Sequence, residues 1–137
     1  MPTPTESNPE ILTLAEANVA LPKVRQLLER LQGLQRAIVD GEEQREGLAE
    51  KLADGNGHSR ATLQDQLVAE AEATIKELSA CGAMLKDLES GLVDFYGERA
   101  GELILLCWRL GEEPRLQYWH TLEGGFSARQ PVDDLIR

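Results

Sequence analysis

The sequence predicts an α+β fold: a long antiparallel helical hairpin over residues 13–90, with a small three-stranded antiparallel β-meander at its open end. Three observations predict it. Every Phe, Tyr and Trp lies at or beyond Phe95. The residues before Phe95 are rich in Leu, Ala, Glu, Gln and Arg, which suits helices packed through aliphatic seams. The residues after it bring rings, β-branched side chains and Gly turns, which suits a small sheet.

The chain has 137 residues, 42% of them apolar, which fits one domain with a compact core, residues 13–137, behind a flexible tail, residues 1–12. Met1 to Pro9 is polar and contains proline. It lacks the basic start and apolar run of a secretion signal.

The first helix starts at a capping box. Thr13-Leu14-Ala15-Glu16 lets the Thr13 hydroxyl accept from the Glu16 amide while the Glu16 side chain reaches back to the Thr13 amide. Apolar residues then recur three and four apart at Leu14, Ala17, Leu21, Val24, Leu28 and Leu31, and seven further on at Ile38, as in a coiled-coil seam. Pro22 cannot donate to the Asn18 carbonyl, so a kink or restart is expected there. Gly33, Gly41 and Gly47 each weaken helix by about 1 kcal/mol relative to Ala, so the far end should fray or bend.

Asp54-Gly55-Asn56-Gly57-His58-Ser59 reads as the turn, with Ser59 or Thr62 able to cap the second helix. That helix carries its stripe through Leu63, Leu67, Ala71, Thr74 or Ile75, Leu78, Cys81, Leu85, Leu88 and Leu92.

In the meander, Leu92 to Tyr96 is a short strand and Gly97 to Gly101 a loop. Glu102 to Leu110 is almost continuously apolar, so it should be a central strand covered on both faces. Alternation puts Ile104, Leu106 and Trp108 on one face and Leu105, Cys107 and Arg109 on the other. Gly111-Glu112-Glu113-Pro114 is a hairpin loop, and pairing Leu110 with Arg115 sets Leu106 opposite Trp119, Cys107 opposite Tyr118 and Leu105 opposite His120.

Thr13-Leu14-x-Glu16-Ala17-Asn18 with Leu21-Pro22, Leu85-Lys86-Asp87, Gly91 to Phe95, Leu106 to Glu112, Tyr118-Trp119-His120, Gly125-Phe126 and Arg129-Gln130-Pro131 together resemble the bacterial domain of unknown function 2203 family. The resemblance spans nearly the whole chain after the tail and implies no established activity. Tyr96 departs from it where Pro would follow the Asp-Phe pair, and Glu113 is an added residue in the hairpin.

Composition removes several function classes. With 24 acidic against 14 basic residues and a net charge of -10, the chain lacks the basic stripe that nucleic acid or an anionic membrane surface requires. It also lacks the run of roughly eighteen apolar residues that a membrane span needs. Two cysteines, Cys81 and Cys107, fit a reducing cytoplasm better than a disulfide-stapled secreted domain.

His120 is the most suggestive single residue, because it sits in a strand and shares a face with Cys107, Arg109 and Tyr118. As a ligand of a divalent metal it would have Asp94 and Glu123 as carboxylate companions, with Glu16 or Asp87 reaching in from the helices; the plainer reading is a His hydrogen-bonded within the fold. Asp87 and Asp94 could do acid-base work at the junction of helix and sheet, where Glu16 and Asn18 also converge, or serve as ion-pair and turn residues. Arg109 and Arg129 could clamp a carboxylate or phosphate, or pair with the chain's own acids. Trp108, Tyr118, Trp119 and Phe126 form an aromatic cluster suited to an apolar ligand or, more simply, to the core. Cys107 reads as an inert buried thiol, and Gly124-Gly125 as a turn.

No reaction signature accompanies these residues, and no cofactor beyond that metal is implied. The leading expectation is a self-associating helical interaction module, a homo-oligomer, because two helices cannot cover stripes this wide. The alternatives are a small metal-dependent or acid-base enzyme around His120, Asp94 and Glu123, and an apolar small-molecule binder.

Overall fold

A computed structural model describes residues 10–51 and 57–136. The elements are α1 (Leu14–Lys51), α2 (Gly57–Ala80), β1 (Ala83–Asp87), β2 (Leu92–Arg99), β3 (Glu102–Arg109), β4 (Tyr118–Thr121), β5 (Gln130–Pro131) and a final turn of helix, α3 (Asp133–Ile136). The class is α+β, but the expected three-stranded meander is corrected: the sheet has five strands in the order β1-β2-β3-β4-β5, every neighbour antiparallel.

The extra strands arise at both ends of the expected meander. The expected helical stripe continues through Leu85, Leu88 and Leu92, yet α2 stops at Ala80 and Gly82 takes φ 86, the left-handed conformation that commonly ends a helix. Ala83 and Leu85 then alternate as strand residues, because spacings of three and four cannot by themselves separate a helix from a turn followed by a strand. β5 is only two residues long and carries a proline, which suits an edge.

The capping box forms as expected, with Glu16 N donating to Thr13 Oγ1 at 3.0 Å and Thr13 N to Glu16 Oε1 at 2.8 Å. α1 then continues through Pro22 without a restart and reaches Lys51. Pro22 lies on the exposed side, where water can serve the carbonyl that it leaves without a donor. Gly41 makes room for a neighbour: a side chain there would collide with Gln64, whose amide donates to the Ile38 carbonyl at 2.9 Å. Gln32 meanwhile donates to the Leu88 carbonyl beyond the end of α2, so α1 and α2 run antiparallel. Of the expected turn, Asp54 to Asn56 lie outside the described residues, while Gly57, His58, Ser59 and Thr62 already belong to α2.

β2 is longer than expected and runs to Arg99, leaving Ala100 and Gly101, both at positive φ, as a two-residue hairpin. β3 is the middle strand. Its register against β4 is the one expected, with Leu105 opposite His120, Leu106 opposite Trp119 and Cys107 opposite Tyr118. Ile11, in the expected tail, bridges to Tyr96, and Leu12 N donates to the Tyr96 carbonyl at 2.8 Å, so residues 10–12 extend the β1 side of the sheet.

One face of the sheet, with Val93, Phe95, Ile104, Leu106, Trp108 and Trp119, packs with Ala17, Leu21, Val24, Leu28 and Leu31 of α1 and Leu78 of α2 into the core. The seam of α1 is therefore covered by the chain's own sheet as well as by α2. Trp108 and Trp119 direct their indole N–H groups to the carbonyls of Glu113 and Pro131, at 2.8 and 3.2 Å. The opposite face carries Asp94, Leu105, Cys107 and His120, all buried.

Leu28, fully buried in this core, should cost about 2–5 kcal/mol when replaced by Ala, through lost transfer energy and a residual cavity. Val19, 81% exposed on the same helix, should cost no more than about 0.5 kcal/mol. Urea unfolding of Leu28→Ala and Val19→Ala measures both.

Candidate metal centre

Three adjacent strands bring Asp94, Cys107 and His120 together. Asp94 of β2 and Cys107 of β3 are direct cross-strand partners, and His120 of β4 stands opposite Leu105, two residues from Cys107 on the same face. From there its ring reaches over β3 to Asp94. Nε2 lies 3.3 Å from both Asp94 carboxylate oxygens. One ligand atom from each of the three residues falls within 4.8 Å of the other two, and none of the residues is more than 3% exposed.

The hydrogen bonds fix what each donor offers. His120 Nδ1 is 2.7 Å from the Thr121 carbonyl, which can only accept, so Nδ1 carries the hydrogen. In a neutral ring Nε2 then holds the lone pair and points it at a carboxylate. Two acceptors facing each other in a buried site need a proton or a cation between them. A metal-bound His commonly fixes its ring by donating its other N–H to a backbone carbonyl, the arrangement present here.

Cys107 completes the set. Burial first, then the Asp94 charge and hydrogen bond, together push its thiol up to about 12, so the thiol holds its proton unless a cation replaces it. That argues against a nucleophile. A Cys-His-Asp triad also needs base and acid on opposite ring nitrogens, whereas Asp94 faces Nε2 and Nδ1 is already engaged by Thr121. The residues fit a metal better: sulfur, nitrogen and oxygen donors in tetrahedral coordination at about 2.0–2.3 Å lie about 3–4 Å from one another. The charge balances as well, since a thiolate and a carboxylate around a divalent ion sum to zero, and buried charges are found paired or coordinating a metal.

The model of the family described as "Uncharacterized conserved protein (DUF2203)" matches residues 10–132. The chain belongs to the DUF2203 family. No curated protein and no solved structure matches it. All three donors of this DUF2203 chain lie inside the matched span.

Of the residues that the sequence nominated, His120 and Asp94 meet, while Glu123 is exposed and outside the group. The third donor is Cys107. A signal for it existed, because the expected register already placed Cys107 on the face of His120, but an apolar strand made the thiol look like filler. Glu16, Asn18 and Asp87 do not converge on Asp94. Glu16 serves the capping box, Asn18 Oδ1 accepts from Leu116 N at 2.6 Å, and the exposed Asp87 accepts from Ser90, whose hydrogen bonds hold its carboxyl below the usual range. The expected aromatic cluster is divided by the sheet, with Trp108 and Trp119 in the core and Tyr118 and Phe126 beside Arg129.

Arg129 does clamp a carboxylate, and it is the chain's own. Its Nη1 and Nη2 donate to Glu112 Oε2 and Oε1 at 2.7 and 2.8 Å. Arg109 instead lies over the Phe126 ring, 4.8 Å from its centre, and lends its backbone N–H to Glu112 at 2.8 Å. Burial pushes the Glu112 carboxyl up, but the hydrogen bonds and charges of Arg129 and Arg109 outweigh it and hold the group below its usual value.

A depressed carboxyl contributes stability that is whole above its unfolded value and is lost as pH falls through the folded one. Chemical denaturation at steps from about pH 6 to about pH 3 should therefore show wild type losing stability that Glu112→Gln, already weaker at neutral pH, does not lose. Identical slopes for the two proteins would refute the assignment.

Proposed function

We propose that this DUF2203 protein binds a divalent transition metal of the zinc class between Asp94, Cys107 and His120. The observation that carries the reading is the convergence of three buried donors of different chemistry on one point, with the His ring held by the Thr121 carbonyl. The donor set selects the metal class. Thiolate and imidazole suit zinc, cobalt or copper, whereas magnesium and calcium take oxygen ligands. Among the described residues no fourth His, Cys, Asp or Glu joins the group, so a tetrahedral ion keeps one position for water or a small ligand. Bound there, the metal would act as a Lewis acid or activate a water; the three side chains would hold and orient it, and their burial would exclude bulk solvent.

Native mass spectrometry of metal-free protein reconstituted with stoichiometric zinc should give one ion per chain. Cys107→Ser and His120→Ala should each lose it while keeping the far-UV spectrum of the wild type. A wild-type chain that takes up no zinc, cobalt or copper would sink the proposal.

Self-association of the helical hairpin is a second reading, supported by apolar residues that the chain leaves uncovered: Leu63 is 58% exposed, Val39 45%, and Val68 and Ile75 42% each. Leu28 cannot report on it, since it belongs to the chain's own core. Light scattering coupled to size exclusion should show a wild-type oligomer that Leu63→Asp shifts toward monomer. A monomeric wild type at high concentration would count against it. Among the described residues no helix is long and apolar enough to cross a membrane.

A further inference from the structure

The three donors are buried so completely that a cation cannot enter or leave without movement of whatever covers them. On the Cys107 side, the Arg129 side chain packs beside them. The Arg129 guanidinium lies against the Tyr118 ring at 4.0 Å and the Phe126 ring at 4.4 Å, and its Nη2 reaches the Cys107 carbonyl at 3.4 Å. Tyr118 is the cross-strand partner of Cys107, so the guanidinium rests beside the row of the sheet that carries the thiol.

Two features distinguish this cover from ordinary packing. The 3₁₀ turn Phe126–Ala128 beside it buries none of its own residues, so the turn has little apolar contact to hold it down and is held by Arg129 and Arg109 against the Phe126 ring. The guanidinium is also imperfectly satisfied, because its Nε is buried and has no acceptor among the described residues. Exposure of that N–H to water offsets part of the cost of opening, whereas a fully paired group would only lose by it. Arg129 is held by Glu112, whose pair with it ties the connection after β3 to the segment before β5.

We propose, on the reading of the centre given above, that Arg129 is the latch of the metal centre and that breaking its pair with Glu112 limits the rate at which the cation enters and leaves. Arg129 touches no ligand atom in this role and acts on access alone. The two directions of exchange are therefore expected to accelerate together, leaving the equilibrium affinity nearly unchanged.

The test follows zinc transfer from the loaded full-length chain to excess chromogenic chelator, and zinc uptake by the metal-free chain, both by stopped flow. Arg129→Gln and Glu112→Gln should release and take up zinc about tenfold faster or more, since each removes a bidentate charge-assisted contact. Arg129→Lys, which keeps the charge but loses the fork, should fall between them and wild type. The reversed pair, Glu112→Arg with Arg129→Glu, should restore slow exchange. If Arg129→Gln fails to fold by circular dichroism, Glu112→Gln carries the test with the guanidinium still present. Wild-type exchange rates in folded variants overturn the latch, as does faster release without faster uptake, which would mean weakened coordination. Absence of zinc from the wild type overturns the centre itself and is distinguishable from either.

Discussion

Everything in this molecule depends on β3 being covered on both faces. Its alternation of side chains sends Ile104, Leu106 and Trp108 toward the helices, while Leu105 and Cys107 turn to the other side. A strand placed in the middle of a sheet has both backbone edges paired, so its position and register are fixed twice, by β2 and by β4. A slip of one residue on either side would put Asp94 or His120 into the apolar core and the facing Phe95 or Trp119 outside it. The cost of burying a carboxylate among leucines protects the register, and the register in turn brings Asp94, Cys107 and His120 together.

The same geometry explains why a polar trio can persist at full burial. Separately, a carboxylate, an imidazole and a thiol at such depth would each weaken the fold. Placed on neighbouring strands, Cys107 and His120 both face the Asp94 carboxylate while the His120 ring is held by the Thr121 carbonyl, so each polar group has a partner in the group. The outer face of the sheet is thus closed by small specific contacts, an ion pair and stacked guanidinium groups, where the inner face is closed by bulk apolar packing.

Much of this was legible in the residues. The capping box at Thr13 to Glu16 is local chemistry, and it forms where the sequence put it. The apolar run from Glu102 to Leu110 announced a doubly covered strand, and counting back across the hairpin gave the pairing of Leu105 with His120 and Cys107 with Tyr118. β1 was hidden, because Leu78, Cys81, Leu85 and Leu88 keep a helical spacing across a helix end that only Gly82 marks. In the centre, His120 and Asp94 stood out as polar residues in strands. Cys107 did not, since a thiol in an apolar run has the composition of filler.

The class, the helix start, the central strand and the register of one hairpin could be read from the residues alone, because all of them rest on interactions between residues close in the chain or on simple periodicity. Tertiary structure alone decided which acid meets His120. Asp94 and Glu123 are equally plausible carboxylates in one dimension, and only the two-residue turn at Ala100 and Gly101 sets Asp94 opposite Cys107 while Glu123 is left exposed. It also decided that Arg129 would spend its charge on Glu112, seventeen residues away in the chain, because the partner of a long flexible cation is chosen by which loops the sheet brings side by side. Convergence across three strands is a property of distances in space, and sequence spacing encodes it only once every intervening turn is known.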